Sequence, residues 1–205
     1  MCSSDLTSTD GVVWSESSAG SESAMSQVCY NTALDLFCLV GELGYVATAR
    51  DPLSTSWTTR VCPNRARVLG VASLETKGFV AIIAPSGLLY SADGVTWKCT
   101  LLPVSISTTN SNALNVPIYY STTLAGVFIP AATAATYMFT NDGQSVTLCQ
   151  GAGTGSLTYN TIRHDEADDV LMCATSTGFV VMPRTYNPAT SFVVPVMPNT
   201  WIRAT

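Results

Sequence analysis

Apolar residues in this chain come in short runs that turn-forming residues separate. One such run, from Phe79 to Ile83, is followed by a Gly turn, a second run that ends at Tyr90, an Asp-Gly pair and a Trp. No stretch repeats apolar residues at i, i+3, i+4 and i+7, and β-branched and aromatic residues dominate the runs. The pattern therefore predicts an all-β protein built from short strands.

The same order of runs and turns recurs along the chain. Copies cover residues 36–62, 78–99 and 126–149, with a looser copy at 170–196, and a further strand-like run precedes each one. Trp14, Trp57 and Trp97 mark a period of about 40 residues, and four strands in such a period is typical of a β-propeller blade. We predict a propeller of about four to five blades, with a β-sandwich as the alternative.

The repeat also predicts how the chain is organised. A four-stranded sheet cannot bury both of its faces alone, so each unit has to stack on its neighbours. We expect a single domain over residues 1–205 with partial units at both termini. Partial units predict that the first and last strands pair to close a ring, because closure removes exposed strand edges.

Two kinds of residue are predicted to hold each unit together. Asp-Gly suits a tight turn, since Gly adopts positive φ and the Asp carboxylate accepts backbone N–H groups. Trp is large enough to seal the gap between sheets, with its indole N–H available to a backbone carbonyl. The predicted turn and anchor residues are Asp10, Gly11, Trp14, Trp57, Asp93, Gly94, Trp97, Asp142 and Gly143.

Residues 8–14, Ser-Thr-Asp-Gly-Val-Val-Trp, and 91–97, Ser-Ala-Asp-Gly-Val-Thr-Trp, resemble the Asp-box of sialidase-type propeller repeats, Ser-x-Asp-x-Gly-x-Thr-Trp. Both have one residue fewer between Asp and Gly. Residues 141–143 are a degraded copy without Trp, and residues 51–57 retain only the aromatic. Repeats of this form are also similar to those of bacteriophage tail and other virion proteins. The resemblance implies a propeller that belongs to a virus particle.

Composition narrows the function classes. The chain is 47% hydrophobic and 11% charged, with a net charge of −5, so it is neither a coiled coil nor intrinsically disordered. Its acidic balance supplies no basic stripe for nucleic acid. No secretory signal and no run long enough to span a bilayer are visible. We expect no nucleic-acid partner and no membrane insertion.

Seven cysteines are spread along the chain without a C-x-x-C pair, which disfavours zinc. Cys38 and Cys173 lie inside apolar runs, so we expect mostly reduced, structural thiols. Disulfides within the chain or between subunits are the alternative. No cofactor is predicted.

Candidate chemistry centres on residues 163–169. His164 is the only histidine, so any Ser-His-Asp device must use it. We expect a solvated hairpin loop there. Calcium is the alternative, with hard oxygen ligands from Asp165, Glu166, Asp168 and Asp169, although the EF-hand spacing is absent. A sialidase-like site would need an arginine triad, and no Arg recurs at equivalent strand starts.

Three loops have distinctive compositions. Arg60, Arg65 and Arg67 form the only basic cluster, which could bind an acidic neighbour or be a solvated loop. Residues 105–115 read as an extended surface loop. Glycine-rich residues 151–155 have no following helix, so they predict a linker between blades rather than a dinucleotide site.

Together these features predict a non-enzymatic structural or interaction component of a bacteriophage particle, in its tail or fibre apparatus. It would be a rigid platform whose Ser-, Thr-, Asn- and Tyr-rich loops contact other subunits or a host surface. Its partners would be other virion proteins in a homo-oligomeric or multi-copy assembly, or a host-surface glycan, and its location the virion assembled in the host cytoplasm. A lectin-type propeller and a sialidase-like glycosidase are the alternatives.

Overall fold

The computed structural model describes residues 5–8, 10–17, 24–52, 57–106, 116–133, 136–151, 158–175 and 178–183. Within these residues every regular element is a β-strand, apart from two short 3-10 turns, η1 (Glu42–Gly44) and η2 (Glu75–Lys77). The predicted all-β class is confirmed. No helix among them has the length and apolar character to cross a membrane.

The described strands form an N-terminal pair and four larger sheets. The N-terminal pair is β1 (Asp5–Thr7) and β2 (Ser15–Ser17). Sheet I is β3 (Met25–Asn31), β4 (Leu36–Gly41), β5 (Val46–Ala49) and β6 (Thr58–Thr59). Sheet II is β7 (Val68–Ser73), β8 (Phe79–Ile83), β9 (Gly87–Ser91) and β10 (Lys98–Leu101). Sheet III is β11 (Tyr119–Ser121), β12 (Gly126–Pro130), β13 (Thr136–Thr140) and β14 (Thr147–Gln150). Sheet IV is β15 (Tyr159–Asp165), β16 (Val170–Thr175) and β17 (Gly178–Pro183).

Strand order within each sheet is that of a propeller blade. The strands lie in chain order, each antiparallel to the next. The first strands of neighbouring sheets contact one another, β3 with β7, β7 with β11 and β11 with β15. The fourth strands are largely exposed, and β10 is exposed throughout. First strands therefore lie at the inner edge and fourth strands at the rim, and the four sheets match the predicted blade count.

Three apolar cores lie between the four sheets. Successive side chains of a strand point to opposite faces of its sheet, so neighbouring residues enter different cores. In β8, Phe79, Ala81 and Ile83 enter the core shared with sheet I. Val80 and Ile82 enter the core shared with sheet III. A third core lies between sheets III and IV. Because both faces of β8 are covered, its sequence is a continuous apolar run.

The predicted ring closure is not seen within the described residues. There β1 pairs only with β2, and β17 pairs only with β16. Residues 184–205, most of the predicted surface loop (107–115 of 105–115) and most of the predicted linker (152–155 of 151–155) lie outside the described residues.

One glutamine ties three sheets together at the inner edge. Gln27 Nε2 donates to the Ile118 carbonyl (3.3 Å), while its Oε1 accepts from the backbone N–H groups of Val71 (3.2 Å) and Ile118 (3.4 Å). Gly70 lies beside it. A Cβ at Gly70 would stand 2.3 Å from the Val116 carbonyl oxygen, so only glycine fits this approach of backbones.

The close contact between Gly70 and the Val116 carbonyl predicts the effect of Gly70→Ala. The added methyl group would meet backbone, which cannot move aside cheaply, so we expect a loss of about 2–3 kcal/mol in the free energy of unfolding. Urea denaturation measures it. Gly87→Ala is the matched control, because there the nearest atom is Ile83 Cβ at 3.1 Å and the expected loss is smaller. Equal losses for the two variants would contradict the interpretation.

Candidate functional site

A polar pocket of about 230 Å³ opens beside sheet I. The β4–β5 turn, which contains η1, forms one wall, and the connection from β6 to β7 forms the other. Arg60 and Arg65 line it together with Glu42, Leu43 and Asn64.

Local backbone geometry holds the two walls together. Gly44 has φ of 73°, and a Cβ there would stand 2.2 Å from the Asn64 carbonyl oxygen. The Asn64 side chain accepts the Ala66 N–H at 2.8 Å, which shapes the second wall. Leu43 also has positive φ, 55°, and its side chain is exposed at the rim. A glycine is thus required where the turn meets the loop.

The charges of the pocket are unequal. Arg67 forms an ion pair with Glu42, and this pair neutralises the charge of the one carboxylate that lines the pocket. Arg60 donates its Nε–H to Thr48 Oγ1 at 2.7 Å, which orients the guanidinium. Among the described residues neither Arg60 nor Arg65 forms an ion pair. The pocket therefore carries net positive charge in an acidic chain, and it suits a carboxylate.

The Asp-Gly turn of sheet II has a fixed geometry. Asp93 Oδ1 accepts the N–H groups of Val95 and Thr96, both at 2.8 Å, and the Ser91 hydroxyl at 3.1 Å. The two backbone bonds, from Thr96 first, hold the pKa of Asp93 below its usual value. Gly94 has φ of 72°, the conformation that glycine adopts without strain.

Two other turns share this geometry. Asp10 and Asp142 each accept two following backbone N–H groups at 2.7–2.9 Å, and Gly11 and Gly143 have φ of 73° and 70°.

Two of these turns, those of Asp93 and Asp142, lie against the preceding sheet. A Cβ at Gly94 would stand 2.6 Å from Leu36 Cδ2 of sheet I, and one at Gly143 would stand 2.4 Å from Tyr90 Cδ2 of sheet II. The turns therefore help to join neighbouring sheets.

The tryptophans differ in their surroundings. Trp97 is buried in the core between sheets I and II and stacks on Phe79, with ring centroids 6.3 Å apart. Nε1 of Trp97 and of Trp57 is buried without a hydrogen-bond partner, so neither makes the expected bond to a carbonyl. Trp14 is 56% exposed and lies between β1 and β2 of the N-terminal pair. It does not seal a gap between sheets.

His164 is not part of a solvated loop, and that expectation is wrong for this residue. Its side chain is 1% exposed, with Nδ1 2.8 Å from Ser121 Oγ and Nε2 3.0 Å from Asp169 Oδ1. Ser121 is also buried, and its Oγ accepts the Leu124 N–H at 3.2 Å. This Ser-His-Asp array therefore joins sheets III and IV.

Glu166 makes a second contact between sheets III and IV. Its carboxylate accepts the Thr122 N–H (2.6 Å), the Thr122 hydroxyl and the Thr123 N–H (3.3 Å). These bonds, the Thr122 hydroxyl first, lower the pKa of Glu166 to about 2. A similar hydroxyl–carboxylate bond joins sheets I and II, where Thr32 Oγ1 donates to Glu75 Oε2 at 2.8 Å. Sequence reasoning missed these contacts, which join residues more than 40 positions apart.

The calcium alternative is not supported by the arrangement of the carboxylates. Among the described residues no three His, Cys, Asp or Glu side chains are placed to hold a metal ion. Asp165 Oδ1 accepts the Ala167 N–H at 3.1 Å, Asp169 faces His164, and Asp168 is exposed.

The six described cysteines are unpaired thiols. Cys29 and Cys38 lie opposite each other on β3 and β4. Burial raises the pKa of Cys29 and of Cys173 to about 12, so neither thiol is a thiolate at neutral pH.

Comparisons with known proteins identify the fold. No family model and no curated protein matches the sequence. Among solved structures, the chain is similar to YCF48 bound to D1 peptide (TM-score 0.58, 13% identity, 86% of this chain and 56% of that chain). It is also similar to YCF48 from Cyanidioschyzon merolae (TM-score 0.54, 17% identity, 84% and 56%). The predicted propeller is confirmed, and the chain spans about half the length of these proteins.

The predicted role in a bacteriophage particle is wrong. The two similar structures named above are YCF48 proteins, one of them with a D1 peptide, and neither is a virion component. The prediction rested on the repeat pattern, and unrelated propellers of different functions share the same turns and strands. The single domain, the virion location and the absence of catalysis stay predictions.

The Glu166 contact predicts a pH-dependent stability. The pKa of Glu166 is about 2 in the folded chain and 4.5 in its reference state, so the ionised carboxylate stabilises the fold above pH 4.5. This stabilisation disappears as the pH falls through 2. We expect Glu166→Gln to melt below wild type at pH 7, with the gap narrowing between pH 4.5 and 2. Asp168→Asn is the control, and a gap that stays constant over this range would contradict the assignment.

Proposed function

We propose that the protein is a non-enzymatic interaction module, a propeller that binds an acidic segment of another protein in the arginine pocket of sheet I. The observation that carries the proposal is the pair of guanidinium groups in that pocket, Arg60 and Arg65, neither engaged in an ion pair among the described residues. A similar propeller, YCF48, has been solved with a D1 peptide bound, which supports peptide binding as a use of this fold.

The size and chemistry of the pocket favour a peptide over a small-molecule cofactor. Its volume of about 230 Å³ is below the roughly 300–1,000 Å³ of drug-sized ligand sites. Such a volume accommodates one carboxylate side chain or a C-terminal carboxylate. Arginine binds carboxylates through paired N–H donors. The exposed Leu43 at the rim adds an apolar contact for a neighbouring residue of the peptide.

The absence of catalysis is part of the proposal. The Ser121, His164 and Asp169 side chains are engaged in the hydrogen bonds that join sheets III and IV. A buried hydroxyl that accepts a backbone N–H is poorly placed to attack a substrate.

We further propose that the turns at Asp10, Asp93 and Asp142 are shortened Asp-boxes. Their common pattern of two N–H bonds to one carboxylate oxygen supports this reading. Their role would be structural, since the glycines of two of them pack against the preceding sheet.

Peptide binding tests the proposed function. The probes are two fluorescein-labelled octapeptides that differ only in Glu versus Gln at three positions. We expect wild type to bind the Glu peptide, with affinity falling as salt rises. Arg60→Gln/Arg65→Gln should weaken binding at least tenfold, because a charge-assisted hydrogen bond is worth about 1.5–3 kcal/mol.

Lys98→Gln is the matched control, because Lys98 is an exposed cation on β10 that does not line the pocket. It should bind like wild type in fluorescence anisotropy. Equal affinity for the Glu and Gln peptides, or an equal loss in the Lys98 variant, would overturn the assignment of the pocket.

A further inference from the structure

Two cysteines face each other inside the core between sheets I and II, and the proposed function uses neither of them. Cys29 of β3 and Cys38 of β4 are direct cross-strand partners. Residues directly opposite each other in an antiparallel pair point to the same face of the sheet. Cys38 belongs to the core that sheet II shares, and Cys29 packs against it. The structure therefore places two thiols side by side between two sheets.

Strand register meets the distance requirement of a disulfide. Opposite residues of an antiparallel pair have Cα atoms about 4.5–5.5 Å apart, and a disulfide needs about 4.4–6.8 Å. Burial first, and then the nearby Cys29 thiol, raise the pKa of Cys38, so each sulfur atom lies within reach of the other's charge. The two thiols can be joined without a change in strand pairing.

Packing alone does not require two cysteines at this place. In sheet II the cross-strand pair Ala72 and Val80 fills the core on the side of sheet III. Sheet IV places Cys173 opposite Ile162 in the core that it shares with sheet III. Apolar side chains thus fill comparable space elsewhere in the stack, and a facing pair of thiols adds a chemistry that those pairs lack.

The two thiols differ in access. Cys38 is 0% exposed, whereas Cys29 is only partly buried. Burial raises the pKa of Cys29 to about 12, so its reactive thiolate is scarce and its oxidation is slow near neutral pH. A small oxidant therefore reaches Cys29 before Cys38.

We propose that Cys29 and Cys38 form a reversible disulfide between β3 and β4 when hydrogen peroxide oxidises them. The Cys29 thiolate attacks one peroxide oxygen and the O–O bond breaks. This step leaves a sulfenic acid on Cys29, and the departing hydroxide takes up the Cys29 proton and leaves as water. The Cys38 sulfur then attacks the Cys29 sulfur, the S–S bond forms and the S–O bond breaks. The second hydroxide takes up the Cys38 proton, so two thiols and one peroxide give one disulfide and two water molecules.

The disulfide stabilises the hairpin that leads to the arginine pocket. It closes the loop from residue 29 to residue 38, which restricts the unfolded chain. β4 ends at Gly41, and η1, one wall of the pocket, begins at Glu42. The pair is a site in its own right, because its oxidation does not depend on peptide binding.

Peptide mapping of the full chain tests the pair. The folded protein is incubated with hydrogen peroxide at about pH 8.5, where more thiolate is present, and the remaining thiols are then alkylated in denaturant. Cleavage before aspartate separates the two cysteines, because Asp35 lies between them. We expect mass spectrometry to find fragment 10–34 linked to fragment 35–50, and dithiothreitol to release both.

Two variants separate the roles of the two thiols. Cys38→Ala should leave Cys29 as a sulfenic acid that dimedone labels, because no partner thiol condenses with it. Cys29→Ala should leave Cys38 unlabelled, since peroxide does not reach a fully buried thiol first.

Cys173 is the matched control within the same sample. It is buried and has a pKa of about 12 like Cys29, but it faces Ile162 and should stay reduced. A fragment 10–34 that stays unlinked, or that links to a fragment other than 35–50, would refute the pair. Dimedone labelling of Cys38 in Cys29→Ala as strong as that of Cys29 in Cys38→Ala would refute the order of attack.

Discussion

Apolar packing between neighbouring sheets is the constraint on which this structure depends. An antiparallel meander of four strands satisfies its own backbone hydrogen bonds but leaves two broad faces, and here both faces are apolar. Val80 and Ile82 of β8 lie in one core, and Phe79 and Ile83 lie in the next. Burial of such surface contributes about 25 cal/mol per Å². A sheet of this sequence is therefore stable only beside another.

Turns and loops build the proposed binding pocket, because the strands are occupied with packing. The turn at Gly44 and the loop at Asn64 bring Arg60 and Arg65 into one pocket at the side of sheet I. Polar contacts between sheets use other turns, as in the bond from Thr32 to Glu75. The rigid stack thus fixes where Arg60 and Arg65 lie.

Local signals in the sequence predicted the fold, and long-range contacts limited the prediction of the site. Runs such as 79–83 and the Asp93 turn depend on neighbouring residues, so they could be read directly. The burial of His164 depends on Ser121, 43 positions away, and the ion pair of Arg67 depends on Glu42. Motif resemblance failed for function, since Asp-Gly turns stabilise sheets in proteins of many functions.

Amide hydrogen exchange of an Ile82→Ala variant tests the central claim most directly. Ile82 is buried in the core that sheets II and III share, and the truncation removes apolar contacts of both. If the sheets stabilise one another, exchange should speed up in β12 and β13 of sheet III together with β8 and β9 of sheet II. Faster exchange confined to sheet II would show that each sheet is stable alone, and it would contradict this account.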